Sequence, residues 1–110
     1  MIAYGTRGCP TYRKVIDRMK MYFGIRKILM FSTRFNWYRD SSDWKPFHHD
    51  ATAYKKDLHR LQNVTVGVSF GAERELAFID KNNTRLYVPQ KNGMLFHFGR
   101  DVNINWKHGI

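Results

Sequence analysis

Apolar and polar positions follow two different rhythms along this chain. Tyr12, Val15, Ile16, Met19 and Tyr22 recur at helical spacing and mark one face of an α-helix, while Arg13, Lys14 and Lys20 fall off that stripe. Thr11 is placed to cap the start of this helix and Gly24 to stop it. Before it, Met1 to Tyr4 is apolar and predicts a short strand, and Gly5, Gly8 and Pro10 predict a loop. After it the period changes. Ile28 to Phe35 reads as a buried strand, and Asp40 to Asp57 as loop. Val64, Val66, Val68 and Phe70 then alternate with Thr65, Gly67 and Ser69, a half-buried strand. Leu76 to Ile79, Arg85 to Val88 and Met94 to Phe98 predict three more strands. They are separated by turns at Lys81-Asn82-Asn83 and Pro89 to Gly93. Gly99 to Asp101 turns again, and Val102, Ile104 and Trp106 alternate as in a last strand.

One helix followed by short, closely spaced strands predicts an α+β, mainly β fold: a barrel or sandwich with the N-terminal helix against one sheet. The length, 110 residues, suits one domain with a modest core, and no repeat or linker interrupts it. We therefore expect a single domain over 1–110.

Composition narrows the function classes. No apolar run approaches the roughly 20 residues of a membrane span, and Arg7 precedes any apolar signal-peptide core. The lone Cys9 excludes an internal disulfide. These features predict an intracellular protein without a membrane partner. The net charge of +10 favours an anionic partner such as DNA or RNA, with a solvated basic surface as the equal alternative. Residues 1–60 hold 13 Lys/Arg against 5 Asp/Glu and residues 61–110 hold 6 against 4, so a basic footprint belongs to the first half.

Chemistry is suggested by His48-His49-Asp50. In extended chain, residues i and i+2 point the same way, so His48 and Asp50 can reach one point. His108, at the end of the last strand, is the candidate third ligand. Two imidazoles and one carboxylate on one face of an octahedron leave three positions open, as non-haem Fe(II) requires. His49 is a rival ligand without a carboxylate two residues on; His59 and His97 lack a partner pattern. On spacing alone, a structural or surface role for these histidines is the simpler reading.

Several segments, taken in order, resemble the AlkB family of Fe(II)/2-oxoglutarate dioxygenases. Ala3-Tyr4-Gly5 looks like the strand opening that family's nucleotide-binding lid. Asn36-Trp37-Tyr38-Arg39-Asp40 looks like its Asn-x-Tyr segment, and His48-His49-Asp50 its His-x-Asp. Ser69-Phe70-Gly71-Ala72-Glu73-Arg74 resembles its Ser-x-Gly-x-x-Arg strand pair. Asn92-Gly93-Met94-Leu95 matches its hairpin, and Trp106-Lys107-His108-Gly109-Ile110 the segment bearing its second metal histidine. The resemblance implies a double-stranded β-helix, or jelly roll, with Fe(II) held by His48, Asp50 and His108. It implies 2-oxoglutarate as co-substrate, its carboxylates bonded by Asn36 and Tyr38. It implies that Tyr4 stacks on a flipped base, and Lys55 and Lys56 follow the metal loop where they could touch phosphate. No catalytic residue beyond the metal ligands is implied.

The resembled family continues past His-Gly-Ile with a strand whose Arg anchors 2-oxoglutarate. The sequence reaches only Ile110, so we expect a fragment of a longer domain, or a barrel completed by another chain. Two function classes follow: oxidative dealkylation of nucleic-acid bases, or a non-catalytic module that binds nucleic acid or ribonucleoprotein or serves as a structural subunit. Hydroxylation of a protein side chain or small molecule is a third use of the same triad.

Overall fold

A computed structural model describes residues 2–4, 8–26, 33–54 and 62–110. The chain divides into two compact units, Met1–Asp43 and Trp44–Ile110. The fold is α+β and mainly β, with one long helix and antiparallel sheets.

The first unit holds strand β1 (Ile2–Tyr4), helix α1 (Pro10–Tyr22) and strand β2 (Phe35–Trp37). β1 and β2 pair antiparallel, Tyr4 opposite Phe35 and Ile2 opposite Trp37. Helix α1 begins two residues earlier than a cap at Thr11 predicts. Cys9 is the N-cap and Pro10 occupies the first helical position, where its fixed φ and missing N–H cost nothing. Gly24 ends the helix as expected, at φ +67°, a conformation that favours glycine. The apolar stripe is real but shorter than its period suggests: Met19 is buried, Tyr12, Val15 and Ile16 are half-buried, and Tyr22 is 73% exposed. Tyr12 meets Phe35 of β2 edge-on, 6.1 Å between centroids. The strand expected over Ile28 to Phe35 falls largely outside the described residues; β2 begins at its last residue. Beyond β2, the Arg39 guanidinium grips buried Asp43 through Nε and Nη2 at 2.8 and 3.0 Å. That bidentate bond holds the Asp43 carboxyl well below the usual carboxylate range.

The second unit carries β3 (Val64–Val68), β4 (Arg74–Asp80), β5 (Arg85–Gln90), β6 (Leu95–Gly99), α2 (Arg100–Asn105) and β7 (Trp106–Gly109). A single 3₁₀ turn, Ala51–Tyr54, follows the His-His-Asp segment. β3 pairs with β6, and β4 lies between β5 and β7, all antiparallel. The turn between β4 and β5 is as predicted: Asp80 Oδ1 accepts from the amides of Asn82 and Thr84, and Asn83 takes φ 61°. The core lies between the two sheets. Leu76 and Phe78 of β4 meet Phe98 of β6, with Phe78 and Phe98 edge-to-face at 5.7 Å. Val88, Phe96, Val102, Trp106 and Ile110 surround them. Each such large apolar side chain contributes about 1.5–3 kcal/mol when fully buried.

Three sequence expectations are corrected here. Pro89 belongs to β5 rather than to the following turn; β5 flanks β4 on one side only, so a residue without an N–H is tolerated. Gly99 to Asp101 is not a turn, and the alternating Val102, Ile104 and Trp106 are not one strand. Residues 100–105 form helix α2, and only at Trp106 does β7 begin. The helix turns Asn103 inward, where it is 2% exposed. Among the described residues the strands form separate small sheets and no closed barrel.

Candidate metal centre

His108 is placed by β7. On one side β7 pairs with β4, Phe78 lying opposite His108. On the other side it pairs with the segment leading to His48. The amide of His48 donates to the His108 carbonyl at 3.0 Å, and the His108 amide to the His48 carbonyl at 2.8 Å. Lys45 and Ile110 exchange the same two bonds at 2.9 and 3.0 Å. Between these pairs Pro46 and Phe47 together oppose the single residue Gly109, which makes a β-bulge. Pro46, lacking an N–H, fits an unpaired bulge position. Gly109 fits because the bulge crowds it: a Cβ there would meet the Lys45 carbonyl oxygen at 2.6 Å and the backbone of Pro46 and Phe47 at 3.1–3.2 Å. The bulge thus sets His48 directly opposite His108.

Directly opposed residues in an antiparallel pair share one face. His108 lies on the core side, its ring 5.1 Å from Phe98 and 6.2 Å from Phe78, and the His48 ring is 4.3 Å from it. Asp50 completes the group. Its Oδ1 lies 3.7 Å from His48 Nε2 and 3.4 Å from His108 Nε2, and the three ligand atoms fall within 4.8 Å of one another. The His108 side chain is 12% exposed against 27% for His48 and 28% for Asp50, so the group opens to solvent on the side of the His-His-Asp loop.

The His48 ring is disposed for a cation. A carbonyl only accepts, so the 2.9 Å bond between His48 Nδ1 and the Pro46 carbonyl puts the proton on Nδ1. The Nε2 lone pair then faces the group, the arrangement that metal-bound histidines adopt. His108 Nδ1 is buried without a hydrogen-bond partner among the described residues. Burial pushes the His48 imidazole down, opposed by its bond to Pro46, so the neutral ligand form is favoured. The Asp50 carboxyl is lowered to about 2, first by its bond with His108 and, against the effect of burial, by a bond from Gln62.

The loop is tied down from two sides. The Asp50 amide donates to Asn103 Oδ1 at 2.8 Å, and Gln62 Nε2 donates to Asp50 Oδ2 at 2.7 Å. His49, the rival ligand, turns elsewhere: its Nδ1 donates to the Asn103 carbonyl at 2.6 Å. Sequence reading missed Gln62, Asn103 and the Pro46–Gly109 bulge.

The other expected site residues fall as follows. Asn36 is exposed on β2, and Tyr38 is half-buried just past the end of that strand. Both belong to the first unit, whereas the triad is built wholly within the second. Tyr4 lies on β1, and its side chain is outside the described residues, as are Lys55, Lys56 and His59. His97 is exposed on β6. A cleft of about 430 Å³ is lined by Glu73, Arg74, Glu75, Ala77, Tyr87 and Ile110, none of them a triad member. Glu75 and Ala77 alternate along β4 with the core residues Leu76 and Phe78, so these two line the cleft from the outer face of the sheet. Among the described residues no helix is long and apolar enough to cross a membrane. No protein-family model, curated protein or solved structure matches the chain.

Proposed function

We propose that His48, Asp50 and His108 form a mononuclear Fe(II) site of an AlkB-like, 2-oxoglutarate-dependent oxygenase that dealkylates nucleic-acid bases. One observation carries this reading. Two histidines and an aspartate, on segments far apart in sequence, converge so that Asp50 Oδ1 faces both Nε2 atoms. The donor set supports iron over zinc in its structural form, because it contains no thiolate. The ordered sequence resemblance and the +10 charge support a nucleic-acid substrate. In this reading the two packed antiparallel sheets are parts of a jelly roll.

The chemistry that Fe(II), 2-oxoglutarate and O₂ supply when bound is hydroxylation of an N-alkyl carbon, which then leaves as an aldehyde. The chain's own residues hold and orient. Pro46 fixes the tautomer of His48. Asp50 is a carboxylate at neutral pH, and Gln62 holds one of its oxygens. Phe78 and Phe98 keep one side of His108 dry. The test is turnover on an N-methylated oligonucleotide with Fe(II) and 2-oxoglutarate. Succinate and demethylated base should appear together. Succinate release that ignores the methyl group, or none at all, defeats the dealkylation reading.

A further inference from the structure

Asp50 has two oxygens, and the structure treats them differently. Oδ1 faces both imidazoles, while Oδ2 accepts from Gln62 Nε2 at 2.7 Å. The same Gln62 nitrogen donates to Thr65 Oγ1 on β3 at 2.6 Å, so its two N–H bonds are divided between the metal loop and the sheet. Asn103 holds the Asp50 backbone amide from the other side. The carboxylate is therefore anchored at its backbone and at Oδ2, with Oδ1 the oxygen turned to the two imidazoles. To bring Oδ2 to the cation as well, the carboxylate would have to turn against the Gln62 nitrogen, which Thr65 holds in place.

We propose that Gln62 is a positioning residue that holds Asp50 as a one-oxygen ligand and so leaves three coordination positions open on the bound metal. The inference rests on the metal-site reading and deepens it. Three positions are what a two-point co-ligand plus O₂ requires, whereas a two-oxygen aspartate would leave two. The role is one of coordination number, distinct from supplying a ligand, and Gln62 touches no reacting atom.

The number of water ligands on bound Mn(II) reads this directly. It is counted on the unfragmented 110-residue chain from the broadening of the Mn(II) paramagnetic resonance in oxygen-17 water, without substrate or turnover. The unaltered chain should carry three waters. Gln62→Met keeps the side-chain shape but removes the donor and should carry two. Gln62→Lys restores a donor and should carry three. If Gln62→Met fails to fold, Gln62→Ala gives the same reading. Three waters in a folded Gln62→Met chain would overturn the inference while leaving the metal site standing, as would loss of Mn(II) binding by that chain. If the unaltered chain itself binds no Mn(II), the metal-site reading falls and this inference with it.

Discussion

At the scale of single residues, the site depends on protonation as much as on position. A metal takes neutral imidazole and ionised carboxylate. Burial lowers the His48 pKa from its ordinary 6.5, and the Asp50 carboxyl is lowered to about 2. The His48 shift extends the ligand-competent imidazole to lower pH than a free side chain would allow. Proton competition from His48 therefore sets in at lower pH than it would for a free imidazole. Cobalt(II) affinity, measured by chelator competition, should be flat from pH 8 to 7 and fall in the acid range. An affinity already declining between pH 8 and 7 would show that His48 does not titrate as its burial dictates. His48 and Asp50 were legible in the sequence because an i, i+2 pair in extended chain shares a side. His108 was legible from its place at the end of the last strand and from the resemblance of the segment around it. Gln62 and Asn103 were not legible. Nothing local links either of them to residue 50; only the packing of the loop against β3 and α2 makes those bonds.

At the scale of elements, the decisive feature is the bulge that brings Lys45 to His48 alongside β7. It works only if Gly109 has no side chain. Gly109→Ala should cost about 1–3 kcal/mol through crowding, since the neighbour it meets is backbone and yields little. Because the same backbone carries His48, metal affinity should fall as well. Gly99→Ala is the control: its Cβ would find its nearest neighbour, the Asn63 carbonyl oxygen, only at 3.9 Å. Urea denaturation of both variants, alongside metal titration, checks this, and equal behaviour of the two would remove the bulge from the account. Strands β3 to β6 were legible to within two residues of their ends, β3 from its alternation and the others from the turns between them. Helix α2 was not, because Val102, Ile104 and Trp106 satisfy a period of two. What the period does not report is that Asn103 must face inward to bond Asp50 and His49, and a helical turn provides that. Pro89 misled in the other direction, since a proline marks a turn only where a strand needs its N–H.

At the scale of the whole molecule, the α+β class followed from one helical period succeeded by several strand periods. How the strands group into sheets did not, because β3 pairs with β6 across the intervening β4–β5 hairpin. The triad has the same character: its members come from a loop and from the last strand, so only the folded second unit assembles it. Metal should consequently bind the native chain alone and stabilise it. Anaerobic Fe(II) titration of the unaltered chain and of His108→Ala tests this central claim most directly. The account predicts one equivalent of Fe(II) bound by the unaltered chain, and an affinity weaker by at least about 100-fold for His108→Ala, since even partners of a ligand cost 10–100-fold when lost. Equal iron binding by the two chains would contradict it.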